Sequence, residues 1–301
     1  MAITVTQLNS FLAVMRGGSV TAAADELVVT QPSVSSVLSS LTRELGCDLF
    51  ERSGRGIRPT AAGEAFLPYA SDVVGLLRSG REAAREAAAV STRRLRIAAV
   101  TTAAESFVPP LIHAFAEHHP GVELVLDVGN RQYVLDRVRG LEADVAIAGT
   151  PPVDERLRGG PCADNEIVCV AAPGDELADG DVLTARELGR RTWLLREPGS
   201  GTRALNEQFL RERGLTPPTL TLGSNGAIKR AVSCGLGVSL LSRATVAADL
   251  ASGALVELAL SDGPPPRPWF VLVAAVGPNR PIVTEFVQFA RGAAAGGPVQ
   301  V

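Results

Sequence analysis

Leu8, Phe11, Leu12 and Met15 recur at helical spacing between polar residues, and Gly17–Gly18 closes the run. That pattern predicts a short amphipathic helix. Ser19 offers an N-cap to a second helix over Thr21–Val28, packed through Ala22, Ala23 and Leu27. Gln31–Pro32 opens a third, since proline suits a helix's first turn. In it Val34, Val37, Leu38 and Leu41 form one inward face. The opposite face carries Ser33, Ser36, Ser40 and Arg43, flanked by Ser35 and Ser39. Phe50–Thr60 sets Arg52, Arg55 and Arg58 at every third position around Gly54 and Gly56, a tight basic hairpin. From residue 61 to 90 one long helix is predicted, about 45 Å at 1.5 Å per residue. Ala62, Phe66, Tyr69, Val73, Leu76, Gly80, Ala83 and Ala87 follow a heptad seam along it. A seam on so long a helix is economically buried by a second chain; packing on its own domain is the alternative.

Beyond residue 90 the pattern alternates strand and helix. Strands are predicted at 93–100, 123–129 and 143–149, with helices over Glu105–His118 and Arg131–Leu141 between them, an order that implies a parallel sheet. A proline- and glycine-rich break spans 151–161. A second unit follows, with strands at 166–173, 192–196, 219–222 and 238–242 and helices over 202–213 and 225–234. Pro264–Pro266 marks the return to a strand at 269–276 and a helix over Ile282–Arg291. The chain thus divides into a helical domain at 1–60, a linker helix at 61–90, and a two-lobed α/β domain at 91–301. Lobe I takes 91–161 and 267–301, lobe II 162–266, as in periplasmic binding proteins.

Two short helices with a tight turn, then a basic hairpin, make a winged helix-turn-helix. Short hydroxyls let the third helix lie deep in a major groove, and Gln31 at its start could bond an adenine edge bidentately. An ordinary helical hairpin with a serine-rich solvent face would show the same spacing. Net charge does not decide between them. The chain carries −3, its pI is about 5.7, and Lys229 is the only lysine among 29 basic residues. Arg16, Arg43, Arg52, Arg55 and Arg58 in residues 1–60 are balanced by Asp25, Glu26, Glu44, Asp48 and Glu51. Positive charge is local, so binding should be modest outside specific sites.

The residues themselves go further. L-x-x-F near the N-terminus, G-S-V-T-A-A-A, L-x-V-T-Q-P-S-V-S, L-x-x-E-L-G-x-x-L-F-x-R and T-A-A-G run without a gap from Leu8 to Gly63. This order resembles the LysR-type transcriptional regulators. The resemblance implies an N-terminal winged helix-turn-helix that binds double-stranded promoter DNA at an interrupted palindrome. It also implies dimerisation through the linker helix, homotetramers, and RNA polymerase as a candidate partner. On this basis Ser19, Thr30, Gln31, Pro32, Ser33, Ser35, Ser36, Ser39, Arg43, Arg52, Arg55 and Arg58 are the expected DNA-contacting residues. Ser36 and Val37 stand where relatives commonly carry long polar side chains, which shifts the expected base reading toward Gln31 and the wing.

In the second half, the stretch from Leu194 to Arg203, L-L-R-E-P-G-S-G-T-R, ends a strand, turns on glycines with Ser200 and Thr202, and starts a helix whose N–H groups are free to hold an anion. Helix capping alone would also place a hydroxyl there; it does not account for Arg196 and Arg203. By the same strand-end logic Thr101, Thr102, Gly129, Asn130, Gly149 and Thr150 face it from the other lobe, with Ser224 and Asn225 at a further helix start. Together with Gly201 these are the expected contacts of a small polar, anionic effector. Similar R-E-P-G-S-G-T-R segments occur in regulators of carbon fixation and of sulfur or nitrogen assimilation.

Other chemistry is not indicated. No nucleophile elbow, P-loop lysine or metal-ligand spacing is present, and His113, His118 and His119 do not share a helix face. The expectation is therefore a regulator without catalytic residues, metal or cofactor. No apolar run approaches a membrane span and no signal peptide opens the chain, so a cytoplasmic protein is expected. Two rivals remain: a solute-binding protein whose N-terminal helices serve only assembly, and a redox-switched regulator using Cys162 with Cys169. The four scattered cysteines otherwise read as reduced thiols.

Overall fold

The protein is described by a computed structural model covering residues 2–53, 56–88, 93–177, 182–264 and 266–295. It divides into two compact units, Met1–Ser91 with Gly140–Glu142, and the remainder. Among the described residues no helix is long and apolar enough to cross a membrane, and no group of His, Cys, Asp and Glu is placed to hold a metal ion.

In the first unit, α1 (Val5–Gly17) begins at a reciprocal cap between Thr4 and Gln7 and ends on left-handed Gly18. Ser19 caps α2 (Val20–Leu27), and Thr30 caps α3 (Gln31–Leu45), with Pro32 in the first turn as expected. The predicted stripe is the core: Leu8, Phe11 and Leu12 bury against Leu41, Leu49 and Ala70. Phe11 sits 5.5 Å from the Phe50 ring and 5.3 Å from Phe66. On α3, Val34 and Leu41 are buried, while Val37 and Leu38 are half-buried. The hairpin forms as β1 (Phe50–Ser53) and β2 (Gly56–Pro59), antiparallel with Glu51 opposite Arg58.

The long helix α4 runs Ala61–Ala87, capped by Thr60. Its predicted heptad seam splits in two. Ala62 and Phe66, with Leu67, Ala70 and Val74, pack on the unit's own core, because Phe11 and Leu49 offer them apolar partners. Tyr69 and Val73 instead form an exposed row with Leu77, which was not in the seam, 69%, 45% and 53% accessible, while the predicted Leu76 is half-buried. The T-A-A-G motif also gains a physical reason. A Cβ at Gly63 would lie 2.2 Å from the Leu49 carbonyl oxygen, while Gly63 N–H donates to Thr60 Oγ1 at 3.1 Å. Gly63→Ala should therefore force the helix start off the core and cost about 1–3 kcal/mol. An unchanged urea midpoint would show that the contact can relax freely.

The second unit holds two lobes. In lobe I the sheet order is β4-β3-β5-β12-β6, from β3 (Arg94–Val100), β4 (Glu123–Gly129), β5 (Val145–Ala148), β6 (Leu157–Ala163) and β12 (Trp269–Ala274). β3 pairs parallel with β4 and β5, but β12 runs antiparallel to both β5 and β6. The three strands expected to be parallel are so, and the antiparallel β12 with β6 makes the whole sheet mixed. The predicted break at 151–161 contains the edge strand β6. Its glycines and proline disguise it, yet an edge tolerates Pro161, and Gly159 lies under the Val271 carbonyl, where a Cβ would come within 2.0 Å. The helix expected over 105–118 is α6 (Val108–His118), which starts just ahead of Pro109–Pro110, and a separate turn not anticipated, α5 (Thr101–Ala104), precedes it. Helix α7 (Arg131–Arg139) follows β4, and α12 (Pro281–Ala295) closes the lobe.

Lobe II contains β7 (Ile167–Ala171), α8 (Ala185–Leu188), β8 (Trp193–Arg196), α9 (Gly201–Glu212), β9 (Thr219–Leu222), α10 (Asn225–Ser233), β10 (Ser239–Ser242), α11 (Arg243–Ala251) and β11 (Val256–Leu258). β7 is flanked by antiparallel β10 and β11, and β8 pairs parallel with β9. Backbone bonds from the Leu194 N–H to the Val238 carbonyl and from the Val238 N–H to the Thr192 carbonyl join these two sheets. Elements α8, α11 and β11 were not anticipated. Each lobe has its own core, one around Phe115, Phe286 and Ile97, another around Trp193 and Phe209.

Candidate functional site

The first unit presents the polar face of α3 to solvent. Gln31, Pro32, Ser33, Ser35, Ser36, Ser39 and Arg43 are all exposed, as is Thr30. They are not equally available. Thr30 accepts from the Ser33 N–H at 3.4 Å and its hydroxyl lies 2.8 Å from Ser33 Oγ, so this pair caps the helix. Ser39 donates back to the Ser35 carbonyl at 2.9 Å. Ser40, placed on the outer face from sequence, is half-buried and accepts from Gln7 Nε2 at 3.3 Å, turned toward α1. Ser19 accepts from the Ala22 N–H at 3.1 Å as the α2 cap. On the wing, Arg52 is exposed, whereas Arg58 pairs with Glu51 at 2.8 Å, spending part of its charge within the hairpin. Arg55 lies outside the described residues.

In the second unit a cleft of about 590 Å³, including its open mouth, lies where the lobes meet. Its lobe I wall is Thr101 and Thr102 at the start of α5, Gly129 at the end of β4, Asn130, and Gly149 after β5. Its lobe II wall includes Arg196 at the end of β8, then Ser200, Gly201 and Thr202 at the start of α9. Parallel strands deliver these residues from their carboxyl ends, as the sequence logic required. Asn130 accepts from the Tyr133 N–H at 2.9 Å, and Ser200 caps α9 by accepting from the Arg203 N–H at 3.5 Å. Two helix N-termini, α7 and α9, therefore open on the same space. The Thr102 and Thr202 hydroxyls approach to 3.5 Å across it.

Four expected residues are placed elsewhere. Arg203 turns away, donating to the Arg196 carbonyl at 3.0 Å and pairing with Glu207 at 2.7 Å. Thr150 lines an adjoining outer pocket with Phe209 and Pro264, and its carbonyl accepts from Arg131 at 2.9 Å. Ser224 caps α10 from an exposed position. Asn225 is buried and bonded to its neighbours without lining the cleft.

Conversely, Arg131, Asn165, Ile167, Leu205, Ser242, Arg267 and Trp269 line the cleft unanticipated. Arg131 and Arg267 change its electrostatics. Arg196 is already neutralised by Glu197, at 2.7 Å and 3.0 Å, but Arg131 and Arg267 make no ion pair among the described residues. The Arg267 guanidinium donates to the Gly201 carbonyl at 3.3 Å. Burial first, then the neighbouring Arg131, pushes the Arg267 guanidinium below its ordinary value; burial and then Arg139 do the same for Arg131. Two cations held together at a cost in desolvation, with two helix N-termini beside them, make this part of the cleft locally positive.

The cysteine-pair rival finds no geometry. Cys162 lies in the lobe I core and Cys169 in that of lobe II. Burial pushes both thiols up to about 12. Roughly one in 10⁵ is then thiolate at pH 7, so neither is a competent nucleophile. After mild peroxide, peptide mass spectrometry should find no link between them, with oxidation confined to exposed Cys47 and Cys234; a Cys162–Cys169 crosslink would reinstate the redox switch.

Comparison with known proteins matches the chain in two parts. Residues 5–64 match the "Bacterial regulatory helix-turn-helix protein, lysR family", and residues 88–295 match the "LysR substrate binding domain". The regulator CfxR of Cupriavidus necator is 36% identical over 271 residues, 90% of this chain and 85% of its own. The RuBisCO operon transcriptional regulator of Acidithiobacillus ferrooxidans is 34% identical, covering 98% of this chain and 95% of its own. Among solved structures, the Synechocystis PCC6803 CcmR regulatory domain in complex with 2-PG is 32% identical, with a TM-score of 0.64, over 68% of this chain and 99% of that one. With both parts of the chain matched in order, and relatives similar along nearly its whole length, the chain belongs to the LysR family of DNA-binding transcriptional regulators.

Proposed function

We propose that this regulator senses a small anion of the 2-PG kind and acts on carbon-fixation genes. The observation that carries the effector is the pair Arg131 and Arg267, two partly buried guanidiniums facing the cleft without a carboxylate. An anionic ligand relieves their mutual repulsion and occupies the N-termini of α7 and α9. Binding across the cleft would favour one lobe arrangement over another, and the difference in affinity sets how far the population shifts. The gene target rests on the RuBisCO operon regulator among the relatives. The exposed row Tyr69, Val73 and Leu77 on α4 supports assembly of at least two chains, because an apolar stripe of that length gains most by burial against its own copy. The face of α3 from Gln31 to Arg43 and Arg52 on the wing carry the DNA contacts.

Calorimetric titration of the full chain with 2-PG, and with inorganic phosphate as control, tests the effector. Saturable binding of 2-PG well above phosphate is expected; no heat with 2-PG would refute that effector. Sequencing of genomic fragments retained by the protein tests the target, with enrichment upstream of carbon-fixation genes expected.

A further inference from the structure

Asn225, expected from sequence to touch the effector, does something else. It is 1% exposed, at the first position of α10 in lobe II, and it bonds in three directions. Its Oδ1 accepts from Arg196 Nη1 at 2.5 Å, while its Nδ2 donates to Thr102 Oγ1 at 3.2 Å and to Glu105 Oε2 at 2.9 Å. The amide orientation is dictated by chemistry: Arg196 can only donate and the Glu105 carboxylate only accept. Both donors therefore cross from lobe II to lobe I. Thr102 is constrained in turn. Its oxygen accepts from Asn225, which leaves its own proton for another acceptor, and the Thr202 hydroxyl lies 3.5 Å away across the cleft.

We propose that Asn225 is a positioning residue that ties the lobes together behind the effector cleft and holds the Thr102 hydroxyl as a donor facing into it. The tie is made by protein groups alone. It keeps one buried junction fixed while an effector engages the walls in front, so occupancy is read through a pre-set donor rather than one that must first reorient. The Thr102 half of the proposal rests on the anion reading of the cleft; the tie does not.

Two variants separate the halves. N225D keeps the acceptor for Arg196 but removes both donors and sets a carboxylate against Glu105. Adding E105Q restores a donor–acceptor pair with its polarity reversed. In the double variant Thr102 must donate to the introduced carboxylate, so the tie returns while the cleft donor is lost. Hydrogen exchange of the ligand-free protein at residues 102–106 and 225–228 is expected to accelerate about tenfold or more in N225D and to return toward the parent in the double variant. Affinity for 2-PG is expected to fall about tenfold in both. Unchanged exchange in N225D overturns the tie; full recovery of affinity in the double variant overturns the role at Thr102. Should N225D not fold, a folded double variant supports the tie and an unfolded one overturns it. A parent protein indifferent to 2-PG refutes the effector reading alone, and the exchange measurement still decides the tie.

Discussion

Arg267→Met is expected to weaken 2-PG binding by about 10- to 100-fold while leaving the ligand-free protein as stable as before, or slightly more so. The affinity loss follows from removing one charge-assisted hydrogen-bond donor from a partly buried site, typically about 1.5–3 kcal/mol. The stability side has the opposite sign. Arg267 sits with Arg131 and no carboxylate, and its pKa is held below the ordinary value by burial and by that neighbour. A base whose folded pKa is depressed penalises the folded state at every pH below that pKa, so at neutral pH the penalty is present in full. Methionine keeps the apolar stem and removes the charge. Calorimetric titration paired with thermal melting reads both signs. A variant that melts lower yet binds 2-PG unchanged would make Arg267 a structural residue through its bond to Gly201. Arg196 offers the contrast: buried and clasped by Glu197 and Asn225, it should cost stability when truncated.

Why Arg131 and Arg267 escaped the sequence reading is instructive. Strand-end logic found the Thr101, Gly129 and Ser200 segments because each is a strand, a small-residue turn and a helix start in immediate succession. Arg131 was one residue from Asn130 and carried its own signal. A cation at the first position of a helix opposes the helix dipole, by about 0.3–1 kcal/mol, and such a placement asks for an anion. Arg267 and Trp269 had no comparable signal. They reach the cleft because β12 returns antiparallel beside β5, with Phe270 opposite Ala148. That register depends on long-range pairing and is invisible to local periodicity. The same limit explains β6, whose glycines and proline read as a break because the neighbouring Val271 carbonyl that requires Gly159 could not be foreseen. The heptad seam on α4 was half legible for a related reason. Periodicity places Phe66 and Tyr69 on one stripe, but only the fold shows that Phe11 claims Phe66 and leaves Tyr69 outside. The N-terminal helices were read almost residue by residue, since their stripes, caps and glycine stops are all local.

Gln31→Ala should lower affinity for the specific DNA site by about 1–3 kcal/mol while leaving non-specific binding and its salt dependence nearly unchanged. Gln31 is exposed at the first position of α3, and no intramolecular hydrogen bond ties its side-chain amide among the described residues. Its neighbours are less free, since Thr30 and Ser33 are engaged in the cap and Ser39 is bonded to the helix backbone. In a major groove the start of a recognition helix meets base edges, and a glutamine there can pair bidentately with adenine. Truncation removes base readout without touching the cap, which belongs to Thr30. Arg52→Ala should do the reverse, weakening binding across sequences and reducing the salt slope by about one, because an exposed guanidinium on the wing contributes mainly to phosphate neutralisation. Competition assays with specific and scrambled duplexes at several salt concentrations resolve the two. If Gln31→Ala weakened both duplexes equally, base recognition would have to move to Ser35, Ser36 and Arg43, the remaining exposed polar side chains of α3.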